Sequence, residues 1–108
     1  MESILTSIKK LLGIGEECNH FDDQIIMHIN SVLSILTQVG VGPSSGFEIL
    51  DAKDTWDEFV REDPRLNMVK TYIFQKVKMV FDPPTSSAHM EALKQSIAEL
   101  EWRLNITE

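Results

Sequence analysis

The stretch DPRLNMVKTYIFQKVKMVFDPP, residues 63–84, decides how the rest of the chain must be arranged. It opens with Asp63-Pro64, and an aspartate cap followed by proline at the first helical position satisfies a helix start with little strain. It closes on Asp82-Pro83-Pro84, where consecutive prolines remove backbone donors and push the residue before them out of helical geometry. A long helix is predicted between these marks, ending near Phe81. Leu66, Val69, Ile73, Val77 and Val80 recur at three- and four-residue steps as its main stripe. Met68, Tyr72 and Met79 lie together on nearly the opposite side, so this helix has two apolar faces and needs two partners.

Beyond the prolines, Thr85, Ser86 and Ser87 can cap a further helix from about Ser87 to Leu104. There Met90, Leu93, Ile97, Leu100 and Leu104 form a narrow seam like that of a coiled coil. Upstream, Ser3 to Leu12 places Ile4, Leu5, Ile8, Leu11 and Leu12 on one side of a short amphipathic helix that stops at Gly13, with Lys9 and Lys10 on its far face. A core-docked helix is the better reading of so short a segment than a membrane-surface peptide. A polar linker then reaches Asp22 and Asp23, either of which can cap a second helix ending at Gly40. Its residues Ile25, Ile26, Ile29, Val32, Leu33, Ile35, Leu36 and Val39 cover about half the circumference, which predicts the central core element.

Between the second helix and residue 63 the run Gly40-Val-Gly-Pro-Ser-Ser-Gly46 breaks any helix, and Phe47 and Ile49 alternate with Glu48 as in a short extended segment. Asp54 or Thr55 can cap a brief helix anchored by Trp56, Phe59 and Val60. The fold class expected is therefore all-α: a small bundle of four to five helices in one domain, 1–108, with a structured loop and a possible short strand between the second and third helices. No internal repeat or low-complexity tract is present.

Composition narrows the function classes. Seventeen acidic against ten basic side chains give a net charge of -7, which argues against nucleic-acid affinity driven by phosphate neutralisation. The one cysteine, Cys18, cannot form an internal bridge, which points to a reducing cytoplasm. Lys9 and Lys10 sit inside the first apolar stretch, unlike a signal peptide, and no apolar run approaches the roughly 20 residues of a membrane span.

Chemistry-bearing constellations are sparse. Cys18, His20, Asp22 and His28 are the only cluster of potential metal ligands, and they lack the spacings of closed zinc sites. A core or interface histidine is the plainer reading of His28. Cys18 has no evident base beside it. Gly40-Val41-Gly42-Pro43 lacks both the lysine of a phosphate loop and the strand-glycine-helix order of a dinucleotide site. No catalytic residue, cofactor or metal is expected, and the chain does not read as an enzyme.

Charge is segregated. Between Glu48 and Asp63 there are seven acidic and two basic residues, with Glu48, Asp51, Asp54, Asp57 and Glu58 foremost, whereas the next helix carries Arg65, Lys70, Lys76 and Lys78 with no acid before Asp82. Either these charges are solvated or paired within the chain, or each subunit offers acid to a neighbour's base. Trp102 falls about 140° from the centre of the last helix's seam. Either that helix is buried on two sides, or Trp102 anchors another subunit. The candidate interface set is thus Met68, Lys70, Tyr72, Lys76, Lys78, Met79 and Trp102. A soluble dimer, formed through the terminal seam by a small helical regulatory or protein-binding module, is the alternative reading.

Several segments resemble a family of small proteins from long-tailed phages and prophages of Gram-positive bacteria. They are Ser7-Ile-Lys-Lys-Leu-Leu-Gly13, His28-Ile-Asn-Ser-Val-Leu33, Val39-Gly-Val-Gly-Pro43, Val69-Lys-Thr-Tyr-Ile73, Phe81-Asp-Pro-Pro-Thr-Ser-Ser87 and Glu99-Leu-Glu-Trp-Arg-Leu104. The family resembled is the head-tail connector, or adaptor, group. The resemblance implies a helical virion protein of the neck, present in the host cytoplasm during assembly. It also implies a homo-oligomeric ring, commonly of twelve copies, beneath the portal protein. Such a ring passes double-stranded DNA through its lumen without specific binding, receives the stopper or tail-completion protein, and has no membrane partner and no catalytic residues. An acidic wall would repel phosphate, and the segment containing Glu48, Asp51, Asp54, Asp57 and Glu58 is the richest candidate for either that channel or an inter-subunit contact.

Overall fold

The computed structural model describes residues 3–15, 17–60 and 65–106. Five helices follow in order: α1 Ile4–Leu12, α2 Asp22–Gln38, α3 Trp56–Phe59, α4 Leu66–Phe81 and α5 Ser87–Ile106. The fold is all-α, as the periodicities require. The Asp63-Pro64 start signal lies outside the described residues.

Helix α4 packs against each of α1, α2 and α5 and is the hub of the bundle. That role was expected of α2, whose apolar arc is wider; α2 buries Ile25, Ile29, Val32, Leu33 and Leu36 but leaves Met27 exposed. The difference follows from α4 having two covered faces rather than one broad one. Val69, Ile73 and Val77 are fully buried, and Tyr72, from the second apolar set, is 1% exposed. Val80 departs from its stripe and is 61% exposed. Phe81 turns inward instead, its ring edge meeting Phe21 at 5.5 Å between centroids.

Helix ends are set locally. At the end of α1, Gly13 (φ 83°) and Ile14 donate backbone bonds to the carbonyls of Lys10 and Lys9. At the end of α2, Gly40 (φ 86°) and Val41 do the same to Thr37 and Leu36. This is the glycine-terminated pattern that satisfies the last free carbonyls of a helix. Ser3 caps α1 by accepting from Thr6 N–H at 3.1 Å, and Ser86 Oγ accepts from His89 N–H at the start of α5. Neither Asp22 nor Asp23 caps α2. Phe21 occupies that position, and Asp22, already helical, forms an ion pair with Lys9 at 2.9 Å. Lys9, expected on the solvent face of α1, is consequently 3% exposed, while Leu11, expected inside, is exposed. A lysine stem can line an apolar surface when its ammonium meets a carboxylate at the edge.

The segment from Val41 to Thr55 belongs to the core although it is neither helix nor strand. Val41 and Ile49 are fully buried, and Phe47 packs against Phe59 at 5.3 Å. The short strand expected here does not form; among the described residues the only bridge joins Ser3 to Thr55. A side chain replaces the sheet partner. Asn30 Oδ1 accepts from Ile49 N–H at 2.8 Å, and Asn30 Nδ2 donates to the Ile49 carbonyl at 3.0 Å, so one amide satisfies both backbone groups of a buried residue. Gly42, at φ 83°, lies against the Phe59 ring, where a β-carbon would collide. Further along, Ile4 N–H donates to the Asp54 carbonyl, and Trp56 Nε1 donates to Ser7 Oγ at 3.0 Å, which ties α3 to α1.

Substituting Asn30→Ala leaves the Ile49 N–H and carbonyl unpaired inside the protein. The expected loss is about 2–4 kcal/mol of unfolding free energy, read from urea denaturation; a loss below about 0.5 kcal/mol would contradict the clamp.

Candidate interaction surfaces

No group of three or more His, Cys, Asp or Glu is placed to hold a metal among the described residues. The ligand cluster read from the sequence is dispersed: Cys18 is exposed, His20 stacks edge-on against Phe21, and Asp22 is committed to Lys9.

The expected interface set divides into two groups. Tyr72 is not at the surface. It sits where α2, α4 and α5 meet, and its hydroxyl donates to Glu101 Oε2 at 2.8 Å. Met68 and Met79 are half-buried against the core. The second apolar face of α4 is therefore covered by α5 within the same chain, which accounts for the partner that face required. Ile97 and Leu104 of the α5 seam are spent in the same contact, and Ser96 Oγ donates to Gln75 Oε1 at 2.9 Å, while Leu93 is only half-buried. A dimer through that seam would have to displace α4. Trp102 alone of the set is an unpartnered large apolar side chain, 62% exposed on the outer face of α5.

Several of the basic side chains of α4 find partners within the subunit. Lys70 lies over the Trp56 ring at 5.4 Å, Lys76 approaches Glu101 at 3.8 Å, and Lys78 approaches Asp82 at 3.7 Å. The last two are long contacts at partly exposed positions, worth little in stability. Among the acids, Asp54 Oδ2 accepts from Leu50 N–H at 2.6 Å, Asp51 Oδ1 accepts from Lys53 N–H at 2.8 Å, and Glu58 Oε1 accepts from Thr55 N–H at 2.9 Å. These three shape the loop and the start of α3. Glu48 and Asp57 are exposed. Glu62 and Asp63, which contribute to the acidic run, lie outside the described residues.

Two features escaped the sequence reading. Leu50 is 81% exposed, the most exposed large hydrophobic side chain described. Its signal was present, because an alternation that turns Phe47 and Ile49 inward turns Glu48 and Leu50 outward. The other is an open groove of about 550 Å³ between α4 and α5, lined by Phe74, Lys78, Pro84, His89 and Leu93 among others. It forms only because the turn at Pro83-Pro84 brings the start of α5 back along α4.

These features define a helical structural module whose distinctive chemistry lies on its surface. The sequence pattern of the family described as phage connector protein matches residues 4–108, and the chain belongs to that family: it is a structural connector component of a bacteriophage. Neither a curated protein nor a solved structure matches the chain. No helix among the described residues is long and apolar enough to cross a membrane.

Tyr72 gives the α2–α4–α5 junction a direct reporter, being the only tyrosine in the chain. Burial raises its pKa well above the ordinary value of 10.0, and the hydrogen bond to Glu101 and that carboxylate's charge raise it further. Because the folded state favours the protonated phenol, this contribution to stability is complete below the unfolded pKa of about 10 and is lost as pH rises from there through the raised folded value. Tyrosinate absorbance should therefore appear only above about pH 10 and together with loss of helical circular dichroism. Titration near 10 with the fold intact would place Tyr72 outside the junction.

Proposed function

We propose that this chain is the head-tail connector of its phage: a ring, of twelve copies by analogy with the family resembled, seated beneath the portal protein in the neck of the virion. Its lumen continues the DNA channel, and its far side receives the stopper or tail-completion protein. The subunits fold in the host cytoplasm and join the particle during assembly. Membership of the phage connector family across residues 4–108 carries this reading. The net charge of -7 supports it, since a negatively charged lumen avoids the counterion-release attachment that would hold passing DNA. The role is one of assembly and not of catalysis. The burial of Ile97 and Leu104, two residues of the α5 seam, within the subunit weighs against a dimeric regulator.

Native mass spectrometry of the chain with the portal protein of the same phage tests the reading. A portal complex carrying a closed ring of connector subunits is expected. A chain that stays monomeric, ignores portal and is missing from purified particles would contradict it.

Trp102 supplies a second test, because a large exposed indole is a favoured anchor for a partner. Trp102→Ala should leave the stability of the free subunit within about 0.5 kcal/mol. Its incorporation into particles should fall at least about tenfold. Unchanged incorporation would remove Trp102 from the assembly surface.

A further inference from the structure

The exposed loop at Leu50 and the groove between α4 and α5 are complementary in polarity and charge: an apolar side chain beside acids on one, apolar walls with Lys78 and His89 on the other. The loop is held rigidly. Asn30 clamps both backbone groups of Ile49, and Asp54 Oδ2 accepts from the N–H groups of Leu50 and Asp51 at 2.6 and 3.3 Å. These bonds present Leu50 to solvent with Glu48 on the same outward side, and Asp51 and Asp57 are exposed nearby in sequence. Holding an apolar side chain outward at a fixed position lowers the ordering cost of a contact made there.

The groove offers the converse. Phe74 and Leu93 give it apolar walls, Pro84 closes its end, and Lys78 and His89 supply hydrogen-bond donors at the rim. Lys78 already touches the Asp82 carboxylate at 3.7 Å and donates to the Asp82 carbonyl at 3.3 Å. A partly exposed contact that long leaves its ammonium able to take a second carboxylate. About 550 Å³ accommodates a leucine together with its flanking residues. The loop is fastened to α2 and α1, whereas α4 and α5 build the groove. A contact between two different surfaces of the same chain is head-to-tail, the kind that closes into a ring when its rotation permits.

We propose that Leu50 of one subunit inserts into the α4–α5 groove of a second copy, with Glu48 meeting Lys78 and His89 at the rim. This rests on the ring reading above and assigns its subunit contact. The acidic loop then faces a neighbouring copy, and the basic end of α4 is the surface that receives it.

The test uses particles of the phage that encodes the chain. In a chain carrying C18S, A52C and A92C, one new thiol sits beside the inserted leucine and the other in the groove wall. Oxidation of purified particles should yield a ladder of covalently joined connector subunits, absent when either A52C or A92C is omitted. L50D alters a side chain that supports nothing within the subunit, so the melting temperature of the free chain should not change. Copies per particle should fall at least about tenfold. E48K and K78E should each reduce incorporation by about tenfold, and the two together should restore it to within about twofold. Wild-type incorporation of the L50D chain with no ladder overturns the contact and leaves the connector reading standing. Cross-links from the groove to a different virion protein also overturn it. Particles that lack the wild-type chain altogether overturn both.

Discussion

Helix α4 carries apolar residues on two faces, and both are covered inside the subunit. On one side Val69, Ile73 and Val77 meet the layer of α1 and α2; on the other Tyr72 lies beneath α5. Each fully buried aliphatic or aromatic side chain contributes roughly 1.5–3 kcal/mol, so neither face could be left in water in a protein of this size. This constraint orders the rest. Residues 82–86 must reverse the chain so that α5 lies back along α4. The loop after α2 must also carry Val41 and Ile49 into the space that short helices leave open.

Self-completion has a consequence for assembly. With Ile97 and Leu104 of the α5 seam and both faces of α4 used within the chain, a second copy can be recruited only through what remains outside. What remains includes a leucine on an acidic loop, a groove with basic residues at its rim, and the indole of Trp102, beside the exposed side chains of Leu11, Met27 and Val80. A connector that must fold as a separate subunit and then join a particle is better served by surfaces of this kind than by an unfinished core, because exposed core faces invite aggregation.

Much of this was legible in the sequence, for reasons that are local. Gly13 and Gly40 stop their helices because a left-handed residue is needed there, Thr55 and Ser86 start theirs, and the steps of three and four along α5 mark the face that meets α4. What could not be read depended on residues far apart in the chain. Asn30 substitutes for a strand partner 19 positions away, so the alternation at Phe47 and Ile49 was real while the sheet it suggested was not. Lys9 is drawn inward by Asp22, a pairing that no helical wheel contains. Periodicity gives the direction of an apolar face but not its width or its end, which is why Leu11 and Val80 emerge into solvent. Tyr72 lay with Met68 and Met79 on a face that needed a second partner and so was read as an external contact, when that partner was α5 of the same chain.

Hydrogen exchange, measured on the free subunit and again on the subunit assembled in particles, tests most directly whether the core is complete before assembly. Amides of α4 should be the most protected already in the free chain, with new protection on assembly falling on surface segments, among them residues 47–58, the outward faces of α4 and α5 that border the groove, and the stretch of α5 around Trp102. Poorly protected α4 amides in the free subunit that become protected only in the particle would mean that another molecule, and not α5, covers its second face.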